Sequence, residues 1–106
     1  MRAHCLADQD TVRGFALAGI AGTAVADAEA TASALAAALA HPEIGLIIIT
    51  DEAASRVRAL VDAVRLERLR PLIVEIPGPR GPQAGGRNLQ QQMQEAVGID
   101  FEELAR

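Results

Sequence analysis

Ile44-Gly45-Leu46-Ile47-Ile48-Ile49-Thr50, followed at once by Asp51 and Glu52, is the stretch whose reading decides the fold. A strand solvated on one face alternates apolar with polar residues, whereas a strand covered on both faces reads as an unbroken apolar run. This block therefore predicts a central strand of a parallel sheet, with Ile48 buried under helices on both faces. Parallel strands need crossover connections, and helical patterns stand before and after this one.

Outward toward the C-terminus, Thr50 or Asp51 is placed to cap a helix running through Glu67. Ala54, Val57, Leu60, Val61 and Val64 form its apolar stripe, and Arg56, Arg58, Asp62 and Arg65 are expected to face water. A strand from Pro71 to Pro77 follows, with proline at both ends because proline cannot donate to a sheet ladder.

Outward toward the N-terminus, His41-Pro42 stops an alanine-rich helix from Ala28 to Ala40, which Asp27 caps. Thr23 to Ala26 is a brief strand candidate. Arg2 to Ala7 reads as a strand, and Val12, Phe15, Ala16, Gly19 and Ile20 follow at helical spacing behind the cap residues Asp8, Asp10 and Thr11. Strand and helix thus alternate three times before a last strand. Right-handed crossovers make this an open four-stranded parallel α/β sheet of receiver-like or Rossmann-like form over residues 1–77.

Composition shifts at Gly78. Residues 78–86 hold four of the nine glycines and two of the five prolines, which marks a hinge rather than a packed element. In residues 87–106, Asn88 is placed to cap a short helix on which Leu89, Met93, Ala96 and Val97 share one face opposite glutamines. An isolated helix of under about 12 residues is marginal in water, so this one needs a surface to pack on. It either folds back on its own sheet or docks on a partner helix, and the nine-residue leash with the narrow apolar face favours docking.

The totals exclude several functions. All ten basic side chains are arginine, so a phosphate loop ending in Gly-Lys-Ser/Thr is impossible. Tyr and Trp are absent and the formal charge is −4, which leaves neither aromatic platforms nor a basic field for nucleic acid. No apolar run reaches the roughly 18 residues of a membrane span and no signal peptide is evident, so a cytoplasmic location is expected. The single cysteine, Cys5, excludes an internal disulfide.

Three aspartates are the sharpest chemical candidates. Asp8, Asp10 and Asp51 fall at the carboxyl ends of adjacent strands, where open α/β sheets place their sites, and a similar trio binds Mg²⁺ and accepts phosphate in receiver domains. That family also needs a lysine after its last strand, which is missing here, and helix capping accounts for the same residues. His4, Cys5 and His41 lack zinc-motif spacing, since neighbours in a strand point to opposite faces and His41 ends a helix. No nucleophile–base pair is evident, and no cofactor or metal site is expected. The glycine-rich run with Arg80 and Arg87 is read as a hinge.

Four segments in order resemble the F subunit of the V-type (archaeal/vacuolar-type) ATPase and ATP synthase family. They are Gly14-Phe15-Ala16-Leu17-Ala18-Gly19-Ile20, then Gly45 to Glu52, then Pro71 to Pro77 with Gly81-Pro82, and finally Glu95-Ala96-Val97-Gly98-Ile99-Asp100. The chain departs from the family pattern in its His4-Cys5 strand and in Gly78-Pro79-Arg80. The resemblance implies a non-catalytic subunit of the rotor's central stalk, with a receiver-like domain and a C-terminal helix lying on the coiled coil of the stalk's D subunit. Beyond the D subunit, the partners would be the rest of the head and stalk, and the complex would couple ATP hydrolysis or synthesis to ion transport. From another class stand a receiver-like signalling domain that binds Mg²⁺ and is modulated by phosphorylation, and a small-molecule-binding α/β domain.

Overall fold

The computed structural model describes residues 1–79. The expected hinge over 78–86, from residue 80 onward, and the expected helix carrying Leu89, Met93, Ala96 and Val97 lie outside the described residues. Within them the order is β1 (Arg2–Ala7), α1 (Gln9–Leu17), β2 (Ala21–Ala24), α2 (Ala28–Leu39), β3 (Ile44–Thr50), α3 (Asp51–Arg56), α4 (Arg58–Glu67) and β4 (Leu72–Ile76). All strand pairs are parallel and the spatial order is β2-β1-β3-β4, so β3 is central.

Register decides which side chains share a face. Leu6 is level with Ile49, and Ile47 and Ile49 are level with Ile73 and Glu75. These residues face α2, α3 and α4, and with Leu35, Ala53, Ala54, Val61 and Val64 they form the hydrophobic core. The other face is thinner. Helix α1 lies against β1 and β2, where Val12 and Cys5 crowd Gly22.

The expectation that Ile48 is buried on both faces is corrected by this arrangement. Ile47 and Ile49 are 0% exposed, whereas Leu46 and Ile48 are only half-buried. The cause is coverage: three helices pack on one face of the sheet, α2 and α3 against β3 and α4 against β4, and α1 reaches only the β1–β2 half of the other. An unbroken apolar run does not reveal that the two faces differ.

Three boundaries also move. Strand β2 occupies Ala21–Ala24 rather than Thr23 to Ala26. Helix α1 ends at Leu17, and Gly19 and Ile20 belong to its stop signal. Gly19 N–H donates to Ala16 O at 3.0 Å and Ile20 N–H to Phe15 O at 2.9 Å, a Schellman pair that satisfies two terminal carbonyls. It requires the left-handed conformation at Gly19, whose φ is +87°, so glycine there is a conformational need.

The third departure is a break within the helix expected to run through Glu67. Val57 leaves helical geometry at φ −132° and ψ 37°, dividing α3 from α4. Val61 and Val64 still point into the core, but Arg58 and Arg65 turn toward β4 rather than into water.

The two sides of β3 should therefore respond differently to truncation. Ile49→Ala is expected to cost about 2–5 kcal/mol, because it removes fully buried methylenes and leaves a cavity. Ile48→Ala should cost less, because part of its side chain is already exposed to solvent in the folded chain. Urea denaturation of both variants checks this, and equal losses would contradict the one-sided packing.

Candidate functional site

The carboxyl edge of the sheet is where a parallel α/β domain of this order would hold a ligand. A cavity of about 710 Å³ opens there, lined by Asp8, Gln9, Thr50, Glu52, Arg56 and Pro79. Four of its polar side chains, Asp8, Thr50, Glu52 and Arg56, are engaged with the helices they cap or belong to. Asp8 is the N-cap of α1: its Oδ2 accepts from Thr11 N–H at 3.0 Å and its Oδ1 from the Thr11 hydroxyl at 2.7 Å. Partial burial raises the Asp8 carboxyl, but the hydrogen bonds from Thr11 outweigh it and hold the group below its usual range. Thr50, not Asp51, caps α3 by accepting from Ala53 N–H at 3.3 Å. Glu52 and Arg56 pair one helical turn apart at 3.4 Å.

The aspartate trio is thus dispersed in role. Asp10 stands in the exposed first turn of α1, 3.9 Å from Arg13, and Asp51 is buried in the first turn of α3. Among the described residues, no group of three His, Cys, Asp or Glu side chains is arranged to hold a metal ion.

His4 and Cys5 lie on opposite faces of β1, as neighbours in a strand should. His4 and His41 line one cavity of about 320 Å³ beside Arg2 and Thr23, at the opposite edge of the sheet. The His4 Nε2 lies 3.0 Å from the Thr23 hydroxyl, and burial, then the charge of His41, pulls His4 below its ordinary range. Cys5 is fully buried, and burial with the nearby Asp8 charge pushes its thiol up to about 11. It is a small protonated core residue, inert as nucleophile and as ligand near neutral pH.

Sequence reasoning missed the strongest polar cluster. Glu75 is 0% exposed in the middle of β4, on the core face. Arg58 grips it with both guanidinium nitrogens, Nη1 to Oε2 at 2.6 Å and Nη2 to Oε1 at 2.5 Å. Arg65 adds Nη1 to Oε2 at 3.0 Å and donates Nη2 to Ile73 O at 3.0 Å. The signal was present in the spacing: Glu75 is two residues from Ile73 on a strand and so shares its inward face, while Arg58 and Arg65 are two turns apart on one helix face. Burial alone would raise the Glu75 carboxyl, but the two arginines more than offset it and hold it below its ordinary 4.5.

These features describe a parallel α/β domain whose ligand-side edge is occupied by helix caps and whose buried charges join a strand to a helix. Likeness to known proteins carries the description further. The chain belongs to the family of the ATP synthase (F/14-kDa) subunit, whose model matches residues 4–97. It is 33% identical over 103 residues to the F subunit of the A-type ATP synthase of Methanococcus maripaludis strain C5, covering 95% of this chain and 99% of that one. The corresponding F subunit of the Thermococcus kodakarensis A-type ATP synthase is 28% identical over 106 residues, covering 95% and 98%. In fold, the chain is similar to the crystal structure of the F subunit of the V-type ATP synthase of Archaeoglobus fulgidus, with a TM-score of 0.62 and 23% identity over 71% of this chain and 95% of that one. The likeness to a receiver domain is one of sheet order, and the signalling alternative is not favoured by any of these matches.

Two outcomes test the roles assigned here. Asp8→Ala should cost about 0.5–2 kcal/mol, the value of an N-cap, by an amount that is the same with and without millimolar Mg²⁺ in thermal melts. A cost that appears only with Mg²⁺ would make Asp8 a ligand. Glu75→Ala should cost about 1.5–3 kcal/mol, since it removes the charge-assisted hydrogen bonds from Arg58 and Arg65 but leaves those partly exposed guanidiniums within reach of water. Because the folded state holds the Glu75 carboxyl below its unfolded value, its contribution is complete above about pH 4.5 and fades as the pH falls through the lower folded value. The difference in stability between the wild type and Glu75→Gln, followed by chemical denaturation from about pH 6 to about pH 2, should shrink over that acid range.

Proposed function

We propose that this chain is the non-catalytic F subunit of the central stalk, the rotor, of an A/V-type ATPase or ATP synthase, and that it binds the coiled coil of the D subunit. In this role it helps couple ATP hydrolysis or synthesis to ion transport across the membrane, from a cytoplasmic position peripheral to the bilayer. The observation that carries the reading is the family match over residues 4–97, nearly the whole chain. Two features support it. The polar groups at the carboxyl edge are engaged as caps and pairs, and no helix among the described residues is long and apolar enough to cross a membrane.

The contact with the D subunit is assigned to Leu89, Met93, Ala96 and Val97. They recur at i, i+4, i+7 and i+8, one face of a helix, and the glycines and prolines of residues 78–86 let that face leave the sheet. A coiled-coil groove would bury the stripe at roughly 25 cal/mol per Å² of apolar area. Residues 78–86 then act as the hinge and residues 87–106 as the docking unit, with the other proteins of the head and stalk surrounding both.

Met93→Asp tests the assignment by setting a charge in the apolar seam. Binding to the purified D subunit should weaken at least about tenfold, equivalent to about 1.4 kcal/mol, while the melting temperature of the isolated chain stays unchanged. A lowered melting temperature with intact binding would instead give the stripe to its own domain and move the partner contact to the α/β domain.

A further inference from the structure

The connection between α4 and β4 carries a group of side chains that neither the core nor the caps use. Leu66, Leu69 and Leu72 fall within seven residues and are 89%, 99% and 51% exposed. Leu72 is level with Leu46 on β3, next to Gly45. Over Gly45 lie the side chains of Met1 and Arg70; a Cβ at this position would overlap the Met1 side chain and stand 2.9 Å from Arg70 Nη2. Met1 is itself 92% exposed. Single exposed leucines are ordinary, but three within seven residues concentrate apolar surface around one connection at the amino edge of the sheet, and concentrated exposed apolar surface is a mark of interaction sites.

The charges at this edge are unlike those elsewhere. Of the seven arginines in residues 1–79, Arg2, Arg13, Arg56, Arg58 and Arg65 each pair with a carboxylate. Arg68 and Arg70 have no carboxylate partner among the described residues: Arg68 reaches only Leu39 O, at 3.4 Å, and Glu67 beside them pairs with neither. Among the described residues, the arginines without a carboxylate are thus the two that flank Leu69.

We propose that this amino edge of the sheet is a second docking surface, and that its occupant is a helix of a neighbouring protein in the assembly, with leucine-type side chains rimmed by carboxylates. Exposed leucine at the centre with arginine at the rim matches the anatomy of protein interfaces, and two unpaired guanidiniums select an acidic rim. The net charge of −4 opposes an anionic bilayer as the occupant. The patch lies at the opposite end of β4 from Pro79, so it is separated by roughly 17 Å of strand from the point where residues 80–106 begin. The inference rests on membership of a multi-subunit assembly and not on the contact assigned to Met93.

The test uses the full chain as wild type, Leu69→Asp, the double variant Arg68→Glu/Arg70→Glu, and Met93→Asp. Each is measured for melting temperature, sedimentation, and re-association with the purified ATPase complex stripped of this chain, at low and high salt. The proposal requires Leu69→Asp and the double variant to re-associate at least about tenfold more weakly with unchanged melting. The double variant should also flatten the salt dependence. Wild-type re-association by both variants overturns it. So does lowered melting of Leu69→Asp, which would show that the chain covers the patch itself. A wild-type dimer dissolved by the substitution would make the occupant a second copy. Wild-type binding to phosphatidylcholine/phosphatidylglycerol vesicles, lost in the variants, would make it a lipid surface. If Met93→Asp binds normally while Leu69→Asp does not, the tail assignment falls and this one stands; the reverse result removes this one alone.

Discussion

A buried carboxylate sets the terms for half of this domain. Glu75 lies in the edge strand β4 on the face that meets the core, where an unpaired charge is far too costly to keep. Arg58 answers it with a two-pronged contact and Arg65 with a single one, and Arg65 also ties back to the backbone of β4 at Ile73. Both arginines come from α4, so strand and helix are held in one relative register. Replacing such a cluster by well-packed apolar residues is often neutral or stabilising, so its contribution is better understood as selecting one arrangement than as adding net stability. The alternative arrangements here are slides of α4 along β4, which would draw Arg58 and Arg65 off Glu75.

The break at Val57 follows from the same constraint. Helix α3 must start at Thr50, directly at the end of β3, where its cap and the buried Ala53 and Ala54 fix its direction. Helix α4 must lay Val61 and Val64 on the core and Arg58 and Arg65 on Glu75 together. Two short helices meeting at a non-helical Val57 satisfy both demands. The ends of the secondary structure are then consumed by local bonds: Asp8, Asp27 and Thr50 each cap the helix that follows them.

Much of the architecture was legible because the deciding residues are local. The apolar block Ile44–Thr50, Asp27 before an alanine-rich run, and Pro71 and Pro77 around Leu72–Ile76 each carry their own signal. What escaped depends on residues far apart in the chain. Whether Ile48 is covered depends on where α1 lands, and α1 is delivered to β1 and β2 by the crossover direction, not by anything near residue 48. Arg58 and Arg65 read as solvent-facing because no local pattern says that a carboxylate 17 residues on will be drawn beneath them. No glycine or proline marks Val57, so the helix break was silent as well. Of the residues proposed to meet a partner, Leu89, Met93, Ala96 and Val97 are legible as a stripe, and they lie outside the described residues. Leu66 and Leu69 were passed over because exposure is a property of the finished fold.

Under the proposed role, the division between a tightly packed face and freely exposed leucines has a mechanical sense. A protein that turns with a shaft must keep its shape while its contacts carry load, and a core held by helices on one face, with an arginine-clamped edge strand, resists shear between α4 and β4. The weak side of the sheet is elsewhere: Leu46, Ile48 and Val74 are half-buried beyond the reach of α1. The stiff side and the unpaired arginines meet at the α4–β4 connection, since the same helix that anchors Glu75 through Arg58 and Arg65 presents Leu66 and leads to Leu69. A charge cluster that selects one register of α4 on β4 therefore also fixes the position of the exposed leucines relative to the core, and a docking surface needs that fixed position to be recognised at all.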